Sequence, residues 1–488
     1  MTKYINNKTT KKRNSIFRLL TSVAIVMLMS VSMILPAFAE PEEPPKPPWV
    51  EGTLDKPAPS AITKKFDMPI GTSIPEALFE FEFTAVKLDG VLVADLPEGS
   101  MPDIDNIEIK YEAEQKEKKH SAIIITDGDV KSALKESADL SAGVEWKAAG
   151  VYVYTVKESV ASAITLADAE NEGETYSEAE YIIEFWVFAH ERENGSFYYY
   201  VKYVNAIIIG EKIDSFYIPG GEDGDKVDPT PDKWVNVTTP IIKENFSGVI
   251  FTNEYWKSDG PGPGDPDPDP DPDPNKASLR VTKEIAGHEA DELDDLDFYF
   301  EVTVIKPSIV KLEEDEVQIY TAYVLDAKGD LVTSKKNYAG TDANGYFEIK
   351  LDEPTTDGRS TKATITVMLR PGEKLMFVDI HVGATVEVVE KVDPRFIPSY
   401  VHNFDGIVGQ KGSADVLKYG FPNGNDEGPH YLPEGTGTKV EFTNTRVNTT
   451  PTGINVDDLP YIVLIGLAIV GLAGLIAYKA RGKSGYDV

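Results

Sequence analysis

Apolar and polar residues alternate with period two through most of this chain's interior. Phe79-Glu80-Phe81-Glu82-Phe83 and Val151-Tyr152-Val153-Tyr154-Thr155-Val156 are the clearest runs. A strand with that period sends residues i and i+2 to one face and their neighbours to the other. Tyr181 to Phe188 and Phe197 to Val204 flank Glu193-Asn194-Gly195. Asn-Gly between alternating segments predicts a hairpin. Asp342-Ala343-Asn344-Gly345-Tyr346-Phe347 marks a turn into a strand, Arg370-Pro371-Gly372-Glu373 marks another turn, and Thr385 to Val389 is a β-branched run. A short helix around Val130–Ala138 is the one interior helix expected. Many short strands with regular turn punctuation predict an all-β chain of sandwich domains.

The punctuation divides the chain. Residues 1–39 have the form of a signal peptide: Lys3, Lys8, Lys11, Lys12, Arg13 and Arg18, then an apolar run from Leu19 to Leu35, then Ala37-Phe38-Ala39 before Glu40. The competing reading is an uncleaved membrane anchor. Residues 40–59 are a proline-rich leader and 60–257 a first β domain. Residues 258–276 form a Gly/Pro and Asp-Pro linker, which proline and charge repulsion keep extended. Its aspartates could bind calcium only if a turn gathered them into a cage, and an extended ladder has none. A second β domain covers 277–447, and 448–488 carries an apolar span at about 461–478 followed by Lys479, Arg481 and Lys483. That span is just long enough to cross a bilayer, and the basic tail would stay inside.

Composition narrows the function. The formal net charge is −33, and the signal peptide holds six cationic residues and no acidic ones, so its removal makes the chain more acidic still. Nucleic-acid binding, which needs a basic footprint, is disfavoured. Cysteine is absent. An exported chain without cysteine has no disulfides to staple its domains. The six histidines are scattered, and there is no HExxH, Gly-rich phosphate loop or nucleophile elbow, so neither a metal, a cofactor nor an enzyme turning over an external substrate is expected.

One ordered phrase occurs twice. Ile62-Thr63-Lys64, Tyr154-Thr155-Val156-Lys157-Glu158 and Phe251-Thr252-Asn253 stand at the start, middle and end of the first domain. Val281-Thr282-Lys283, Val386-Glu387-Val388-Val389-Glu390 and Phe442-Thr443-Asn444 do so in the second. Strand period puts Lys64 with Ile62, Glu158 with Val156 and Tyr154, and Asn253 with Phe251; Lys283, Glu390 and Asn444 follow the same rule. Lys65 and Glu387 fall on the opposite faces. Three polar groups in an apolar core are costly unless they pair or react. Burial lowers a lysine pKa and raises that of a glutamate. A neutral amine can then attack the asparagine carboxamide, with the carboxyl polarising the carbonyl and passing a proton to the departing ammonia. The product is a Lys–Asn amide, made once per molecule with Glu158 or Glu390 as promoter. The competing reading is a surface lysine, a strand-end glutamate and a turn asparagine in each domain.

With Phe66, Met68-Pro69 and Gly71-Thr72 after Lys64, and Glu254-Tyr255 after Asn253, residues 55–257 resemble the isopeptide-linkage domain of streptococcal-type major pilins. Through Val281-Thr282-Lys283, Gly383 to Glu390 and Phe442-Thr443-Asn444, the second domain resembles the collagen-adhesin B-type domains of Gram-positive surface proteins, though Val386 stands where that family has tyrosine and the stretch from Ile305 to Ala339 is longer. The resemblances imply two Ig-like, collagen-adhesin-B-like sandwiches in tandem. Thr450-Pro451-Thr452-Gly453, then Leu459-Pro460-Tyr461 and the apolar span, resembles a sortase sorting signal, with proline directly before Thr452 rather than one residue earlier. Cleavage would fall between Thr452 and Gly453; a plain single-span membrane protein is the competing reading. Together these imply an exported, cell-wall-anchored structural protein or pilin subunit of a Gram-positive surface. Its partners would be a sortase and peptidoglycan or neighbouring pilin subunits, with Lys243 the candidate acceptor. The alternative is an anchored adhesin binding a host or environmental ligand.

Overall fold

A computed structural model describes residues 50–258 and 278–446, apart from shorter stretches of which 210–225, 232–245 and 420–430 are the longest, and 463–465, 467–473 and 475. The signal-peptide, linker, Lys243 and Thr450–Gly453 expectations lie outside the described residues. The chain divides into two compact units, Met1–Trp256 and Lys257–Val488.

In the first unit two sheets enclose one core. A five-stranded sheet runs in the spatial order Ile123–Asp127, Val130–Glu136, Thr63–Pro69, Ile250–Lys257, Glu172–Thr175. The facing sheet is centred on Phe197–Ile209, Glu180–Glu191, Gly150–Glu158 and Ala77–Leu88. Alternation along Ala77–Leu88 places Phe79 and Phe81 inside, and Gly150–Glu158 contributes Tyr152, Tyr154 and Val156. These pack against Ile62, Phe66 and Phe251 from the five-stranded sheet. Phe66 meets Phe79 edge-on at 5.2 Å, and Phe81 lies 4.8 Å from Phe251 between ring centres. Aromatic pairs of this geometry add to the burial of their area. The Asn-Gly hairpin forms as expected: Glu180–Glu191 pairs with Phe197–Ile209, and Gly195 takes the left-handed φ of 78° that the turn needs.

Two details differ from the sequence reading. Residues Val130–Glu136 are a strand, not a helix. Val-Lys-Ser-Ala-Leu-Lys-Glu carries helix-forming residues, but the segment hydrogen-bonds to Thr63–Pro69 on one side and Ile123–Asp127 on the other. Tertiary pairing there overrides a weak local preference. The end of the leader is not free: Gly52 and Ala58 donate their N–H groups to the carbonyls of Lys202 and Val201, and both residues are buried.

The second unit repeats the plan with other neighbours. One sheet contains Ile319–Leu325, Lys374–Phe377, Leu279–Gly287, Lys439–Arg446 and Phe396–His402 in that order, and the other contains Thr361–Leu369, Phe298–Ile305, Thr385–Lys391 and Val416–Tyr419. Its core joins Val281, Phe300, Val302, Val386, Val388 and Phe442. The all-β sandwich expectation therefore holds in both units.

Each unit also places its first strand beside its last, in parallel. Thr63–Pro69 pairs with Ile250–Lys257, and Leu279–Gly287 with Lys439–Arg446. Among the described residues no helix is long and apolar enough to cross a membrane. Residues 463–465, 467–473 and 475 are helical, and Leu464, Ile465, Leu467, Ile469, Val470 and Leu472 are exposed.

Candidate functional site

The parallel pairing of first and last strands fixes where the lysine and asparagine go. In the first unit Lys64 stands opposite Phe251, and Asn253 lies two residues further on, so both side chains turn into the core. In the second unit Lys283 stands opposite Phe442, two residues before Asn444. Lys64, Asn253, Lys283 and Asn444 have no solvent exposure. The glutamate arrives from the other sheet. Glu158 is the residue cross-strand from Phe81, and Glu390 is cross-strand from Phe300. Both sites are thus closed only when the two sheets of a unit pack together.

In the first unit the three groups are in contact. Lys64 Nζ is 2.9 Å from Glu158 Oε2 and 2.5 Å from Asn253 Oδ1. Asn253 Nδ2 donates to Glu158 Oε1 at 2.6 Å. The backbone N–H of Ser177 donates to Asn253 Oδ1 at 2.9 Å. Burial pulls the Lys64 ammonium down to a pKa of about 8, with Glu158 opposing the shift. Charge removal from water is the cause, and it favours the neutral, nucleophilic amine.

In the second unit the same residues meet with fewer bonds. Lys283 Nζ is 2.8 Å from Glu390 Oε1, and Asn444 Nδ2 donates to that same oxygen at 2.8 Å. Glu390 Oε2 and Asn444 Oδ1 are buried and have no hydrogen-bond partner among the described residues. The Lys283 pKa is again pulled down by burial to about 8, against Glu390, and burial pushes the Glu390 carboxyl up, against Lys283.

A platform beneath the lysine is common to both sites. Lys64 Nζ lies 4.2 Å above the Phe79 ring, and Lys283 Nζ lies 4.3 Å above Phe298. Two residues after each of these phenylalanines, Phe81 and Phe300 pack on Phe251 and Phe442. An aromatic face stabilises a nearby cation without accepting its proton. The signal for this platform was in the sequence as Phe-x-Phe: Phe79-Glu80-Phe81 and Phe298-Tyr299-Phe300. Ser177 carried no signal, because its contribution is a main-chain N–H. Lys65, the alternative lysine, is away from the triad and is itself buried, paired with Asp67 Oδ2 at 2.5 Å. Burial raises the Asp67 pKa, against the pull of Lys65.

Among the described residues no group of His, Asp or Glu is arranged to hold a metal ion. No family model matches the chain, and no curated protein matches it. Among solved structures it is similar to the major pilin of Streptococcus pyogenes, at 15% identity and a TM-score of 0.25, over 79% of this chain and 98% of that one. A second S. pyogenes major pilin, T3.2, gives 16% identity and 0.24 over 80% and 98%. A pilus-presented adhesin gives 10% identity and 0.19 over 79% and 99%. At these values nothing about function rests on the likenesses.

Proposed function

We propose that this chain is a load-bearing surface protein, a pilin subunit or wall-anchored stalk, whose two units each lock themselves with an internal Lys–Asn amide. The observation that carries this reading is the burial of a Lys–Glu–Asn triad in both units at matching strand registers, joining the first strand to the last. Lys64 Nζ attacks Cγ of Asn253. The carbonyl electrons move onto Oδ1, and collapse of the adduct expels Nδ2 as ammonia. Glu158 accepts a proton from Nζ at one oxygen and returns a proton to the leaving nitrogen from the other. This supports a different division of labour from the one the residue types suggest: the Glu158 oxygens lie against the two nitrogens, while the asparagine carbonyl is held elsewhere.

The mechanical consequence follows from the parallel pairing. Tension entering at the N-terminal end of the first strand and leaving at the C-terminal end of the last loads the two strands in shear. An amide between them carries that load past the intervening chain, Lys64 and Asn253 being 189 positions apart. Closing a loop of that size stabilises the fold by about 5 kcal/mol on the chain-entropy relation used for disulfides. In a chain without cysteine, this is the covalent staple that the residues supply. Export, sortase transfer at Thr452 and attachment to peptidoglycan or to other subunits complete the reading, and they rest on the sequence at the two ends.

Single-molecule pulling on the full chain tests the load-bearing role. The native protein should release no segment between Lys64 and Asn253 at any force that leaves the tether intact. Asn253→Ala should release a loop of roughly 600 Å, at about 3.4 Å per extended residue. Release of that loop from the native protein would remove the proposal.

A further inference from the structure

The Asn253 carbonyl is the atom on which negative charge develops when a nucleophile adds to the carboxamide. In the first unit it accepts two hydrogen bonds, one from Lys64 Nζ and one from the Ser177 backbone N–H. The first of these donors cannot persist, because Nζ becomes bonded to Cγ in the addition step. The second can. Glu158 is committed to the two nitrogens through its two oxygens. That leaves a single described donor aimed at the oxygen throughout the step.

We infer that the Ser177 backbone N–H is the oxyanion donor for closure of the Lys64–Asn253 amide, and that the second unit, where no described donor reaches the Asn444 carbonyl, closes more slowly. This rests on the crosslinking reading above. The strap that presents the donor follows the edge strand Glu172–Thr175 and enters Glu180–Glu191. Two contacts tie it to the rest of the unit: Thr175 Oγ1 donates to Glu254 Oε2 at 2.9 Å, and Tyr176 Oη accepts from the Ile164 N–H at 3.2 Å. A donor held in place before the reaction costs no reorganisation when the charge appears, and a buried site magnifies its effect.

The second unit has a different neighbour at this place. The strand on the far side of Lys439–Arg446 is Phe396–His402, and the residue opposite Asn444 is Pro398. Proline has no N–H to offer. Asn444 Oδ1 accepts no hydrogen bond among the described residues.

The test is the rate of ammonia loss in each unit. The full chain is made in a pulse of cell-free synthesis, quenched in denaturant at intervals and digested, and the branched peptides are quantified by mass. Residue 177 is replaced by its α-hydroxy acid analogue, which puts an ester oxygen where the N–H was. Ser177→Pro provides a second removal of the donor, and Ser177→Ala retains it. Thermal unfolding of the first unit confirms folding in each case. Closure at Lys64–Asn253 should slow by about 10²-fold in the ester and proline chains, the usual effect of deleting one oxyanion donor. It should keep its native rate in Ser177→Ala, and the Lys283–Asn444 rate should be unchanged throughout and lower than that of the native first unit. A folded ester chain that closes at the native rate overturns the inference while leaving the crosslink intact, as does a Ser177→Ala chain slowed as much as the ester. A native chain that never loses ammonia from the first unit removes the crosslinking reading itself, and the inference with it.

Discussion

The first unit holds its triad with both oxygens of Glu158, one on each nitrogen, and with a main-chain donor on the asparagine carbonyl. The second brings Lys283 and Asn444 to a single oxygen of Glu390 and leaves the other oxygen, and the Asn444 carbonyl, without a described partner. Yet lysine, asparagine, glutamate and the two platform phenylalanines occupy corresponding registers in both. The lesson is that strand register places reactive side chains, while the surrounding loops decide how they are polarised. Two sandwiches with little sequence in common can share the first and differ in the second.

The largest test of that comparison is removal of the carboxyl. Glu158→Ala and Glu390→Ala should each abolish ammonia loss in their own unit and leave the other unit's bond intact. The affected unit loses the loop closure, about 5 kcal/mol, and leaves a buried lysine without its ion-pair partner, about 3 kcal/mol more. Denaturant unfolding followed separately for each unit would measure both. Asn253→Ala and Asn444→Ala should cost less, about 5 kcal/mol each, because the lysine keeps its glutamate. A markedly smaller loss in the second unit would mean that its bond does not form in the native chain.

An intermediate effect comes from pH. With folded lysine pKa values of about 8 in both units, closure should quicken about tenfold per pH unit below 8 and level off above it. The same shift predicts the stability of chains carrying Asn253→Ala. The folded pKa lies below the ordinary lysine value of 10.5, so between about pH 8 and 10.5 the unfolded chain binds more protons. Stability should therefore rise with pH across that window, by up to about 3 kcal/mol, and be flat on either side as far as Lys64 is concerned. The charged groups that oppose the shift are Glu158 and Asp67. A first unit whose closure rate ignores pH between 6 and 8 would argue that amine deprotonation is not part of the slow step. The smallest effect is at the platform. Phe79→Leu and Phe298→Leu, made in the Asn→Ala backgrounds, should each cost about 1–2 kcal/mol by removing the ring under the ammonium.

Much of the site was legible because its logic is that of strands. Period two put Lys64 rather than Lys65, and Glu390 rather than Glu387, on the core face, and the same residues converge in the structure. What could not be read is what alternation does not encode. The Lys–Asn phrase implies that the first and last strands come together, but nothing in Thr63–Pro69 or Ile250–Lys257 announces that they pair in parallel. Val130–Glu136 looked helical because its composition is helix-forming, and only its two neighbouring strands decide otherwise. Ser177 acts through a group that every residue but proline possesses, so its place depends wholly on where the strap after Glu172–Thr175 runs. Lys65 and Asp67 show that the opposite face of the first strand is also covered, which a sandwich pattern alone does not predict.

The most direct measurement is the mass of the purified chain, fully denatured, with peptide mapping of each unit. The account predicts a deficit of two ammonia molecules, with branched peptides joining Lys64 to Asn253 and Lys283 to Asn444. A chain of full mass, with Lys64 and Asn253 recovered in separate linear peptides, would contradict it.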